Sequence, residues 1–187
     1  MFLRNLLLFF SPIAFSLGLV AQSAFSQPSA PAPAPAPKVE ASALEEASQT
    51  PPWTRLCGAH ASQDLDLLVV QVASATGVDA ALLAAVMTKE STCRPGAIGG
   101  AGEIGLTQVH PRVWAKHLKK QGLIESEKDL FNPETNLRCS AHILGGHLDR
   151  TDGDVWKSLR RYNGSGPKAR KYADRVFATY LDLAREL

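Results

Sequence analysis

The chain has 187 residues, 45% hydrophobic and 20% charged, with 20 basic against 18 acidic side chains for a formal net charge of +2. That length permits one ordinary domain plus tails, and the hydrophobic fraction excludes a wholly disordered chain. A charge this close to balance argues against a nucleic-acid binder, and the single long apolar run, at the extreme N-terminus, excludes a polytopic membrane protein.

Arg4 precedes a run from Leu6 to Val20 that is nearly all apolar, broken by Ser11, Pro12, Ser16 and Gly18 and followed by the mostly small residues Ala21 to Ser26. Residues 1–26 read as a secretory signal, cleaved after Ala24 or Ser26. The alternative is an uncleaved anchor helix, which Pro12 and Gly18 weaken. Cleavage leaves no membrane span, and no Cys follows the run to carry a lipid anchor. Residues 27–52 are a different material: Pro and Ala alternate from Pro31 to Pro37, and an acidic, alanine-rich piece follows from Val39 to Gln49. Proline fixes φ and donates no backbone hydrogen bond, so this Pro/Ala-rich stretch is expected to be an extended, disordered linker, either a tether or a plain leader.

The folded domain is expected over residues 53–187 and reads as mainly α. Leu65 to Val72 has helical spacing, with Asp64 as the expected N-cap and Gly77 as the stop. A second helix opens at Asp79 and carries Leu82, Leu83, Val86 and Met87 on one stripe. Pro95 to Gly105 holds five glycines, so an irregular loop or small hairpin is expected there. Pro111 begins a third helix with Val113, Trp114 and Leu118 as its apolar side. Asn132-Pro133-Glu134 starts a fourth, on which Leu137, Ala141, Leu144 and Leu148 recur. Asp154 starts a fifth, bearing Val155, Leu159 and Tyr162, and Gly164 to Pro167 breaks it before a last helix with Tyr172, Val176, Phe177, Tyr180, Leu181 and Ala184.

One residue sits badly in this pattern. The apolar stripe Leu82, Leu83, Val86, Met87 continues into Glu90. A carboxylate at the end of a buried stripe is costly unless it is paired, protonated or opens onto a cavity. Apolar neighbours raise its pKa, which suits a general acid near neutral pH. The competing reading is that the helix ends there and Glu90 is exposed, or pairs with Lys89 or Arg94.

The residues around Glu90 bear on that choice. Glu90-Ser91 is followed by Pro95, a glycine-rich run, and Gly105-Leu106-Thr107-Gln108; further on come Asn132-Pro133-Glu134-Thr135-Asn136-Leu137 and Tyr162-Asn163-Gly164. In this order, from about Asp64 to Arg175, the pieces resemble the SLT-type lytic transglycosylases, lysozyme-like enzymes that cut bacterial peptidoglycan. The resemblance implies a lysozyme-like helical domain with Glu90 as catalytic acid. This sequence departs from the family pattern at Thr107, where Met is usual, at Gly99, where Ser is frequent, and at Glu103, where Ala is frequent. An acid at position 103 resembles the second carboxylate of hydrolytic lysozymes; otherwise Glu103 is a surface acid of the loop.

The activity implied is cleavage of the β-1,4 bond between N-acetylmuramic acid and N-acetylglucosamine with formation of 1,6-anhydromuramyl ends, Glu90 serving as single general acid and base. Alternatives are a hydrolytic muramidase using Glu90 and Glu103, and a non-catalytic peptidoglycan-binding or assembly module of an envelope-spanning machine. Ser91, Gln108, Tyr162 and Asn163 are the expected substrate-binding residues, against helix-terminal, loop-bonding and core roles. Tyr162 has a ring for sugar packing and a hydroxyl that can reach Glu90. Trp114, Trp156 and Tyr172 read as core.

The implied arrangement makes Cys93–Cys139 the expected disulfide, with Cys57–Cys139 as the alternative. His60, His110, His117, His142 and His147 show no metal-binding spacing, so neither metal nor cofactor is expected. The expected partners are peptidoglycan glycan strands and a secretion or conjugation apparatus, with no nucleic acid. The chain is expected to be a monomer in the periplasm of a Gram-negative bacterium.

Overall fold

Helical periodicity becomes seven α-helices in the computed structural model, which describes residues 50–187. The secretory signal and all but the end of the Pro-Ala linker lie outside the described residues. The helices are α1 (Thr54–Cys57), α2 (Gln63–Thr76), α3 (Ala80–Ser91), α4 (Pro111–Lys120), α5 (Pro133–Asp149), α6 (Val155–Asn163) and α7 (Gly166–Ala184). Short 3-10 turns follow α1 at Gly58–His60 and precede α5 at Glu127–Phe131. Among the described residues there is no extended strand. The glycine-rich segment forms an irregular hairpin held by single antiparallel bridges between Ile98 and Ile104 and between Ile104 and Val109.

Capping chemistry fixes most helix starts. Asp79 accepts from the Leu82 amide at 3.1 Å, Asn132 from Thr135 at 3.0 Å and Asp154 from Lys157 at 2.8 Å. At α2 the cap is Ser62, which accepts from Leu65 at 3.2 Å, and the expected cap Asp64 lies inside the first turn, where its charge meets the positive helix end. Gly77 closes that helix in the left-handed conformation, φ +71°.

α3 runs through the middle of the domain, and every side chain from Ala81 to Met87 is buried. Around it pack Val69 and Val72 of α2, Leu137, Ala141 and Leu144 of α5, Leu159 of α6, and Tyr172 and Val176 of α7. A second cluster gathers Ile104 and Val109 of the hairpin, Ala115 and Leu118 of α4, Ile124, Leu130, and Cys139 and Ile143 of α5. α5 therefore buries two faces, one in each cluster, and Tyr162 packs against both. Val113 is 61% exposed, so the inner side of α4 is Ala115 and Leu118 with Trp114 half-buried.

The cysteines pair differently from the expectation. Cys57 and Cys93 form the disulfide, with Cα atoms 5.2 Å apart, and Cys139 is free and buried. The reason is the two-faced helix: Cys139 points into the second cluster, whereas Cys93 faces the first, where Cys57 arrives. The segment carrying Cys57 is tied down further. The Trp53 indole donates to Asp66 at 2.9 Å, the Thr54 hydroxyl donates to the same carboxylate at 2.8 Å, and Arg55 meets Glu186 with two contacts of 2.5 and 2.6 Å.

Candidate active site

Glu90 lies on the last turn of α3, one turn past the fully buried Met87, and is itself half-buried. Burial pushes its carboxyl up to about 7. The approach of the Tyr172 hydroxyl and the Lys89 charge pull it partly back, and the charge of Glu103 adds to the rise. Neither Lys89 nor Arg94 forms an ion pair with it among the described residues. Tyr172 is buried to 7% exposure, and its hydroxyl faces Glu90 with no hydrogen bond of ordinary geometry. It belongs to the core, as expected, and to the site as well. A tyrosine on an apolar helix face carries no sequence signal for the second role.

Immediately after Glu90 the chain reverses. Ser91 is buried; its hydroxyl donates to the Leu106 carbonyl at 2.7 Å and accepts from the Arg94 amide at 3.0 Å. It ties the end of α3 to the hairpin and has its hydrogen-bonding capacity largely used within the protein. Thr92 and Cys93 then adopt the left-handed conformation, φ +53° and +62°, as does Gln108 across the hairpin at +50°. Backbone held in this sparsely populated region costs free energy that the surrounding contacts must offset, and it concentrates at functional sites. The Cys57–Cys93 bond holds the reversal from the other side.

Asn136 fixes the hairpin against α5. It is 1% exposed, and its side chain accepts from the Thr107 amide at 2.9 Å and the Thr107 hydroxyl at 2.7 Å. Its amide donates to the carbonyls of Ile104 and Leu130, both at 2.8 Å. Thr107 thus has a partner for its hydroxyl where Met would have none. Gly105 must be glycine here, because φ is +81° and a Cβ would fall 2.6 Å from the Leu130 carbonyl oxygen. The Tyr162 hydroxyl donates to the Thr107 carbonyl at 2.9 Å and lies 3.1 Å from the Ser140 hydroxyl. It therefore bonds this network, and the tyrosine hydroxyl facing Glu90 is that of Tyr172.

Gln108 is half-buried and donates to the carbonyls of Ala97, at 3.2 Å, and Gly105, at 3.0 Å, leaving its amide oxygen for another partner. Glu103 is half-buried in the hairpin, and one of its carboxylate oxygens accepts from the Ala101 amide at 3.0 Å. Asn163 is exposed at the last residue of α6. The structure thus gathers Glu90, Ser91, Glu103, Gln108 and Tyr162, with Tyr172 and Asn136 added, where α3, the hairpin, α5, α6 and α7 meet. Among the described residues no group of three or more His, Cys, Asp or Glu side chains is placed to hold a metal ion.

A glutamate of raised pKa thus ends a buried helix beside a glycine-rich hairpin pinned by a buried asparagine. The family model for the transglycosylase SLT domain matches residues 68–179, from α2 through most of α7. The chain belongs to the transglycosylase SLT domain family. Among curated relatives of this SLT chain, the invasion protein IagB of Salmonella typhimurium is 33% identical over 116 residues, covering 57% of this chain and 70% of that one. The invasion protein IagB of Salmonella typhi matches to the same extent. Among solved structures, the lytic transglycosylase Slt of Pseudomonas aeruginosa, solved as an inactive glutamate-to-glutamine mutant, superposes with a TM-score of 0.59 at 19% identity. That superposition covers 64% of this chain and 24% of the Pseudomonas chain, and it shows the shared fold. Membership in the SLT family supports lytic transglycosylase activity in general terms.

Proposed function

We propose that this SLT domain cleaves the β-1,4 bond between N-acetylmuramic acid and N-acetylglucosamine in peptidoglycan, with Glu90 as general acid and then general base. The observation that carries the reading is the half-buried Glu90 carboxyl, held by burial at about 7 and facing Tyr172. At that value a large fraction of the carboxyl keeps its proton at neutral pH, while the carboxylate left after transfer is basic enough to take one back. Glu90 gives its proton to the glycosidic oxygen as the C1–O bond breaks. The sugar's own acetamido oxygen stabilises the charge developing at C1. The Glu90 carboxylate then takes the proton of the muramyl 6-hydroxyl as its oxygen bonds to C1, giving a 1,6-anhydro end without consuming water. Tyr172 is available to the carboxylate in the ionised state. Gln108 offers its amide oxygen, and Asn163 and the Tyr162 ring offer polar and flat surface, to hydroxyl and acetamido groups.

A hydrolytic muramidase is the second reading, and one observation favours it: Glu103 is close enough for its charge to raise Glu90. A second carboxylate can activate water. The substrate places the chain outside the cytoplasm, in the periplasm once exported, and the described residues hold no helix long and apolar enough to cross a membrane. The likeness to an invasion protein supports service to an envelope-spanning secretion or conjugation apparatus.

Digestion of purified sacculi followed by mass spectrometry tests this. Wild type is expected to release muropeptides with anhydro ends, and Glu90→Gln to lose release by about 10²- to 10⁴-fold with its fold intact. Comparable release by the variant would remove Glu90 from the chemistry, and reducing ends alone would establish the muramidase.

A further inference from the structure

Two glycines of the hairpin do different work. Gly102 has φ +89° with open space where a side chain would go, so its requirement is conformational. Gly99 is absent from the positive-φ residues, so its backbone does not require a glycine. Its requirement is space. A Cβ built there falls 2.5 Å from the amide oxygen of Gln108 and 3.1 Å from the Glu103 Cβ, and nearer still to a Glu103 carboxylate oxygen. The Glu103 side chain folds back over a tight turn in which the Gly99 amide donates to the Glu103 carbonyl at 2.8 Å and the Gly102 amide to the Gly99 carbonyl at 3.1 Å. The Ala101 amide then holds its carboxylate at 3.0 Å.

We infer that Gly99 is a positioning residue of this site: by lacking a side chain it leaves the space that seats the Glu103 carboxylate beside the Gln108 amide, so that residues 99 and 103 work as a pair. The inference rests on the site assignment above and deepens it. A side chain at position 99 and a long acid at position 103 compete for one volume. A chain carrying both must move the acid from this seat, and with it the charge that supports the proton affinity of Glu90.

The test is a cycle of Gly99→Ser, Glu103→Ala and the double variant, read by thermal midpoint, muropeptide release and its pH profile. Gly99→Ser is expected to lower the midpoint by only about a degree or two, because the ends of the Glu103 and Gln108 side chains can give way, to lower release by about tenfold, and to shift the high-pH limb of the profile. Adding Glu103→Ala to Gly99→Ser is expected to restore more than half of the lost midpoint, and the double variant is expected to release muropeptides at the level of Glu103→Ala alone. Wild-type midpoint and release in Gly99→Ser, or strictly additive losses in the double variant, would overturn the pairing. A wild type that releases nothing from sacculi would defeat the proposed function, while the midpoint cycle would still decide whether the two positions are coupled.

Discussion

Glu90 makes the stability of the fold depend on pH. The carboxyl sits at about 7 in the folded protein against an ordinary 4.5. Between those values the folded chain holds a proton that the unfolded chain has released, so stability falls as pH rises through the window. The contribution is complete below 4.5 and lost above about 7. Glu90→Gln removes the penalty. Its thermal midpoint is expected to match wild type near pH 4 and exceed it at pH 8 by the equivalent of about 2–3 kcal/mol, as measured by thermal denaturation at both pH values. Cleavage by the protonated acid is expected to decline above about pH 7, and a rate still climbing at pH 9 would contradict that role. Tyr172 lowers Glu90, so Tyr172→Phe is expected to move this limb to higher pH, measured as muropeptide release against pH.

α5 joins the two clusters, and Asn136 is the polar point at which it grips the hairpin. Asn136→Ala leaves the Thr107 amide and two carbonyls without their partner in a buried place. The expected cost is about 3 kcal/mol by denaturant unfolding, with a loss of cleavage because the hairpin holding Gln108 and Glu103 loosens. Thr107→Val deletes one hydroxyl bond to the same oxygen and is expected to cost about 1 kcal/mol. Equal costs in the two variants would mean that the hairpin is held elsewhere.

The segment from Trp53 to Cys57 is tied to the end of α3 through Cys57. Its disulfide closes a sequence separation of 36 residues, which in the chain-entropy picture contributes about 4 kcal/mol. Reduction, or Cys57→Ser, is expected to lower the thermal midpoint and to release the left-handed turn at Thr92 and Cys93, reducing wall cleavage along with stability. Peptide mapping without reduction is expected to find Cys57 joined to Cys93. Burial pushes the Cys139 thiol up to about 11, so alkylation is expected to reach Cys139 only after denaturation.

Helix periods, caps and the misplaced Glu90 were readable because each depends on residues within a few positions of one another. Asp79, Asn132 and Asp154 cap where the spacing puts them, and the stripe from Leu82 to Met87 is buried as its pattern requires. The motif pieces around Glu90, Gly105 and Asn132 carried the family for the same reason. Tyr172 beside Glu90, the Tyr162 bond to Thr107, the fit of Glu103 into the space at Gly99 and the Cys57–Cys93 bond were settled by packing alone. Each joins segments distant in the chain, or depends on which of two buried faces a helix turns to a neighbour. α5 is apolar on both faces, so its periodicity could not say that Cys139 turns away from Cys93.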